Sequence, residues 1–294
     1  MSGMVPRRGR GPRPDIAAAE VSAGHRMVLV RRGRFRRGVR GVVADADPTA
    51  AYLVAPGDEE RFAHPAGGDV CTSVQFGERL WRRLTGEQVV ASTVYVDSAL
   101  ELAHRRVTAS AADPDYALAE ELLVLVGGAI TQSARPRSPA GHADDRALVA
   151  RAREAIVAGD PVAAGLFPPA ESLGVSPYRL SRAFPREVGV SLTRYRNRVR
   201  VGRALERLEA GERALAVLAA ELGFADQAHL TRTLREHAGA PPGWCAGYWH
   251  AERRDGRRRR ANRVARRVVS VRAGRREGAA RRPGLGAWPP PAAT

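Results

Sequence analysis

A five-residue pattern occurs twice in this chain: Leu180-Ser181-Arg182-Ala183-Phe184 returns as Leu230-Thr231-Arg232-Thr233-Leu234. Gly189 matches Gly239 in the same register, and with a slip of one residue AESLG (170–174) matches AAELG (219–223). Self-similarity of this kind means that one supersecondary unit is used twice. Each copy reads as a short Ala/Leu helix, a glycine that ends it, a turn, and a second helix opened by a capping residue. That is the grammar of a helix-turn-helix unit.

The caps fix which side chains face out. In the first copy Ser176 can accept from the orphan amides, Pro177 suits the first helical position, and Val175 can staple against Leu180. In the second copy Asp226 takes the capping role. Leu180 and Phe184, or Leu230 and Leu234, then point inward. The outward face carries Tyr178, Arg179, Ser181 and Arg182 in one copy, and Gln227, Ala228, His229, Thr231, Arg232 and Arg235 in the other. Those side chains suit a major groove: Arg can give two donors to guanine, Gln227 can pair with adenine, and His229 can donate to a base or phosphate, each good bidentate pair contributing ~1–3 kcal/mol of discrimination. One arginine on an amphipathic helix is ordinarily a solvated residue; recurrence in register favours the reading face.

Three prolines break the symmetry. Pro168 and Pro169 align with Val217 and Leu218 in the scaffold helix, so Pro168 is expected to be extended and Pro169 to open a helix of little more than one turn. Pro185 removes an amide bond to the Ser181 carbonyl, at about 3 kcal/mol in a regular helix interior, and predicts that the first reading helix kinks or ends early. The second unit is therefore expected to dominate specificity, with Arg232 the leading reader.

Upstream the pattern changes. Residues 1–24 are Arg, Pro, Gly and Ala and are expected to be a disordered leader. Apolar runs at 27–31, 35–39, 52–54, 61–63 and 70–76, separated by Gly and Pro, predict short strands of a small antiparallel barrel or sandwich. Helical periodicity follows at 98–110 and 116–131, the latter with Leu118, Leu122, Leu125 and Val126 on one face. That stripe is expected to pack within the chain, or on the same helix of a second subunit. SARPRSPAGHADD after Gln132 has linker composition.

The segments GVSPYRLSRAF (174–184), RYRNRVRVGRALERL (194–208) and above all LAAELGFADQAHLTRTLREHAGAPPGW (218–244) resemble the AraC/XylS family of transcription regulators. VLVRRGRF (28–35) and AYLVAPGDEERFAHP (51–65) extend the likeness more loosely to the effector-binding barrels of such regulators. The resemblance implies an α+β chain: a small β-barrel, cupin-like effector domain with appended helices, then an all-α domain of two helix-turn-helix units joined by a long helix near 195–208. It further implies double-stranded DNA as partner, a small organic effector, a possible homodimer, and RNA polymerase as a contact if the protein activates. The expected divisions are a leader 1–24, an effector and dimerisation domain 25–132, a linker 133–144, a DNA-binding domain 145–250 and a disordered Arg-rich tail 251–294.

Charge supports this only weakly. The formal net charge is +17 and every one of the 48 Lys+Arg positions is Arg, so composition itself is skewed. Residues 251–294 hold 14 Arg against Glu252, Asp255 and Glu277, a net of +11. Such a tail could bind nucleic acid without sequence preference, which is the alternative function. A cupin-type enzyme is the remaining alternative. It is disfavoured because His25, His64 and His104 are scattered, with no His-x-His and following acid, and because no nucleophile-base pair or phosphate loop appears. No catalytic residue, metal or cofactor is expected. Two cysteines, no apolar stretch behind the N-terminal arginines and a longest apolar run at 122–130 suit an unexported, cytoplasmic protein with no membrane span.

Overall fold

The computed structural model describes residues 19–64, 69–86, 91–110, 116–134, 143–159, 167–245, 247 and 269–273. Two antiparallel sheets come first, built from β1 (Glu20–Val21), β2 (His25–Arg32), β3 (Phe35–Val39), β4 (Val42–Ala46), β5 (Ala50–Val54), β6 (Glu59–Ala63), β7 (Val70–Phe76) and β8 (Thr93–Tyr95). One sheet has the order β1-β6-β3-β4. The other runs β8-β5-β2-β7 and takes a fifth strand, β9 (Val269–Ala273), beyond β7.

The expected small barrel is thus not closed; it is two separate sheets. The reason lies in β2, where successive residues are buried on opposite faces. Val28 and Val30 meet Phe35, Ala46 and Phe62 of the first sheet, with Tyr52, Val54 and Cys71 beside them. Met27 and Leu29 instead join Leu53, Val74 and Phe76 against helices. A strand that is apolar on both faces is covered on both faces. Between the sheets Glu60 is fully buried, held by Arg37 at 2.6 Å and by Arg26, while Arg37 lies 4.4 Å over the Tyr52 ring.

Those covering helices are α1 (Glu78–Thr85), α2 (Ser98–Ser110) and α3 (Tyr116–Ser133). Leu118, Leu125 and Val126 of α3 are buried in the chain's own core and Leu122 packs against it, whereas Leu123 and Val124 are exposed. The short α1 escaped the periodicity reading because Leu80, Trp81 and Leu84 are its only apolar anchors. β1 falls inside the expected leader, and residues 1–18 lie outside the described residues.

The remaining helices are α4 (Ala143–Ala158), α5 (Phe167–Ser172), α6 (Pro177–Val188), α7 (Leu192–Ala210), α8 (Leu215–Glu221) and α9 (Gln227–Ala238). α5–α6 and α8–α9 are the two helix-turn-helix units and α7 joins them. α5 opens at Phe167, so Pro168 is helical rather than extended. Both prolines sit in the first turn, where an amide has no intrahelical partner to lose. α6 also departs from expectation: it runs through Pro185 to Val188 and is as long as α9, 12 residues each. Leu180, Ala183 and Phe184 are buried on its inner face, and the Gly189 amide donates to the Pro185 carbonyl. Packing and a complete C-terminal cap outweigh the missing bond.

A tail without regular structure was expected over 251–294, yet β9 lies within it. β9 pairs antiparallel to β7, with Arg272 opposite Cys71. Alternation in Val269-Ser270-Val271-Arg272 suits an edge strand, and the outer side of β7 offers backbone groups that need partners. The rest of the tail, 251–268 and 274–294, and the linker segment 135–142 lie outside the described residues.

Candidate nucleic-acid interface

Both reading helices are capped as their sequences require. The Ser176 hydroxyl accepts from the Arg179 amide at 3.2 Å and the Asp226 carboxylate from the His229 amide at 2.6 Å. Each helix ends on a left-handed glycine, Gly189 at φ 84° and Gly239 at φ 74°, where a side chain would be strained. The inner faces are buried through Leu180, Ala183 and Phe184 in α6 and Leu230, Thr233, Leu234 and Ala238 in α9.

The outward faces carry the residues proposed from sequence. Tyr178, Arg179, Ser181 and Arg182 are exposed on α6; Gln227, Ala228, Arg232 and Arg235 are exposed on α9, with His229 and Thr231 half-buried. The two faces differ in how free their cations are. Arg179 points back to α4, giving Asp145 two hydrogen bonds of 3.1 and 2.9 Å. Arg182 donates to the Tyr178 hydroxyl at 2.5 Å and lies 5.4 Å over its ring. Arg232 and Arg235 make no ion pair or hydrogen bond among the described residues. His229 accepts the Ala225 amide on Nδ1 at 3.2 Å, which leaves Nε2 as the donor in the neutral ring. An open depression of about 460 Å³ runs beside this face, lined by Asn197 of α7 together with Asp226, His229, Arg232 and Glu236.

Sequence reasoning did not find the seam behind the interface. Glu101 of α2, 2% exposed, accepts from Arg105 at 2.6 Å and from Arg198 of α7 at 3.1 Å. Arg198, equally buried, also donates to the carbonyls of Val96 at 2.6 Å and Pro48 at 2.7 Å. Arg105 reaches Glu209 at 2.7 Å, and Arg31 pairs with the same carboxylate. On the other flank Arg153 of α4 holds Asp47 at 2.7 Å, and Thr49 meets the Tyr195 hydroxyl at 2.9 Å. Leu102 of α2, 6% exposed, enters the core of the second unit with Leu205, Leu218, Leu230 and Leu234. The N-terminal part therefore supplies a wall of the DNA-reading part.

Burial by itself would raise the Glu101 carboxyl, but Arg105, Arg198, His104 and Arg31 together outweigh it and hold it at about 2. Burial pushes the neighbouring His104 imidazole down to about 4, against the pull of Glu101. Neither His104 ring nitrogen has a hydrogen-bond partner among the described residues. Both folded values lie below the ordinary ones, 6.5 for His104 and 4.5 for Glu101, so the unfolded chain takes the protons first. The stability that depends on these two groups is fully present above about pH 6.5 and is lost through His104 toward pH 4, then through Glu101 toward pH 2. Thermal midpoints measured from pH 7 to 4 should drop, and drop less in His104→Gln; an identical slope in that variant would contradict the assignment.

Residues 170–244 match the family model of a helix-turn-helix domain. This segment is an AraC-type helix-turn-helix domain, the DNA-binding part of a transcription regulator. Among solved structures, the C-terminal domain of the response regulator AraT from Geobacillus stearothermophilus is similar at 27% identity, over 35% of this chain and 84% of that one, with a TM-score of 0.32. Unsaturated-fatty-acid-bound ToxT from Vibrio cholerae is similar at 10% identity, over 79% and 90%, with a TM-score of 0.30. The AraC-like transcriptional activator CuxR is similar at 16% identity, over 62% and 68%, with a TM-score of 0.29. No curated protein sequence matches. Among the described residues no helix is long and apolar enough to cross a membrane, and no group of three or more His, Cys, Asp or Glu is placed to hold a metal ion.

Proposed function

We propose that the chain reads a two-box operator, laying α6 and α9 into successive major grooves on one side of duplex DNA, under control of a small organic effector bound by the N-terminal part. The observation that carries this reading is the repeat itself: two capped helices of 12 residues, each with a buried apolar face and an outward face bearing arginine. The contacts are Gln227, Ala228, His229, Thr231, Arg232 and Arg235 from α9, and Tyr178, Arg179, Ser181 and Arg182 from α6. The units of the chain are β2–β8 with α1–α3 (25–132, cupin-like in role), a linker (133–144), the reading domain (145–250) and a basic tail (251–294) whose β9 adds to the sheet of the first unit. The exposed Leu123 and Val124 of α3 suit a second copy of the chain, and an activator would in addition touch RNA polymerase.

A cavity of about 480 Å³ in the seam supports the effector role, lined among others by Arg31, Arg34, Glu101, Arg105, Arg198 and Arg203. Among the described residues Arg203 donates only to the Val157 carbonyl, at 3.0 Å, and so leaves positive charge facing the space. An acidic effector fits that balance.

The test weighs the two units. Arg232→Ala is expected to weaken operator binding by ~1–3 kcal/mol and relax preference at one base pair. Arg182→Ala should cost less, because Arg182 must first leave the Tyr178 hydroxyl. Titrations against the operator and its single-base variants decide between them, with folding checked by thermal midpoint. An Arg182 loss equal to the Arg232 loss would show that both units read bases alike.

A further inference from the structure

The joining helix α7 passes close beside α9. Its residues Asn197 and Arg200 are three apart and share one face. Asn197 is half-buried, its side chain has no hydrogen-bond partner among the described residues, and it lines the depression beside Arg232 and His229. One turn further on, the Arg200 guanidinium sits at the turn between α8 and α9. It lies 5.8 Å from the centre of the Phe224 ring, and a β-carbon at Gly223 would come within 3.3 Å of its Nη2. No carboxylate among the described residues pairs with Arg200. Burial lowers its pKa, and burial first, then the charge of Arg200, lowers that of Arg196. Half-buried positive charge is therefore concentrated where the second reading helix begins.

In helix-turn-helix docking the first residues of the reading helix meet base edges, while the element before it crosses the sugar-phosphate backbone. In that docking the turn at Gly223, which follows α8, would lie against the backbone. Resting on the DNA-reading role proposed above, we infer that α7 is itself a DNA contact: Arg200 and Asn197 clasp phosphate oxygens flanking the second box. Asp226 and Glu236 also line the depression and keep the phosphate at its rim. Arg200 pairs as a cation; Asn197 adds a neutral donor.

The experiment compares wild type, Arg200→Gln, Arg200→Lys and Asn197→Ala in the full chain, titrated against operator and random duplex across a salt series. Each neutralised phosphate contributes a slope of about 0.9 in log affinity against log salt. Arg200→Gln should flatten the slope by about that amount and weaken both duplexes severalfold, leaving their ratio unchanged. Arg200→Lys should keep the slope. Asn197→Ala should weaken both duplexes evenly with no change in slope. An unchanged slope in Arg200→Gln, or a loss confined to the operator, would overturn the inference. So would Arg200→Lys losing slope as Arg200→Gln does while both lower the thermal midpoint, since Arg200 would then serve only to pack Phe224. Failure of the underlying DNA-reading role would show separately, as wild-type binding without preference for the operator.

Discussion

Glu101→Gln is expected to destabilise the protein by about 3–5 kcal/mol, the cost of leaving buried guanidinium groups without their counter-charge. The carboxylate is 2% exposed and is the meeting point of Arg105 and Arg198, with Arg31 at 3.6 Å. Pairs on the surface set the contrast. Arg82–Glu78 within α1 is exposed on both sides, and such pairs contribute about 0.3–0.5 kcal/mol. Because Glu101 joins α2 to α7, the loss should fall on the seam, and calorimetry of the variant should show the N-terminal part and the reading domain melting apart. A variant that melts in one transition within 1 °C of wild type would refute a central role for this carboxylate.

Leu102→Ala is expected to cost about 2–5 kcal/mol, since it removes a fully packed side chain and leaves a cavity. The effect is informative because of where the side chain goes. Leu102 belongs to α2, yet it packs in one core with Leu205 of α7 and with Leu218, Leu230 and Leu234, the anchors of the second helix-turn-helix unit. Loosening should therefore appear in α8 and α9, as faster amide exchange there than in β2 or β7, and operator affinity should fall with it. If exchange instead rose only among the strands, α2 would not be a wall of the reading domain. The same packing ties α2 to the second unit, since Leu102 and Ala109 of α2 both sit against the core that holds Leu230 and Leu234.

Local signals carried much of this architecture. The repeat, the caps at Ser176 and Asp226 and the terminal glycines Gly189 and Gly239 act within a few residues of themselves, so the sequence displays them directly. The strands at 35–39 and 70–76 and the helix at 98–110 coincide with β3, β7 and α2 for the same reason. Sheet closure is a different matter: the apolar run Met27–Val30 says that β2 is covered on both faces, but whether it ends a barrel or separates two layers depends on which distant strands pair. Pro185 was weighed by its own penalty, while its helix is held by the packing of Phe184 and Leu180 against α4 and α7. The hold of Asp145 on Arg179 was not legible locally, because Asp145 lies on another helix, 34 positions away. The seam was illegible for the same physical reason, since Glu101 and Arg198 are 97 positions apart. β9 was missed although its Val-Ser-Val-Arg alternation is local, because the surrounding arginines dominated the reading of the tail.

Selection of bound duplexes from a random pool with the full chain tests the central claim most directly. Two intact reading helices joined by α7 predict a consensus of two boxes whose centres lie about one helical turn, roughly 10–10.5 base pairs, apart. The box read by α9 should be the more tightly constrained, and Arg232→Ala should relax one position within it. Enrichment of a single box, or of no sequence at all under conditions where the chain binds DNA, would contradict the account.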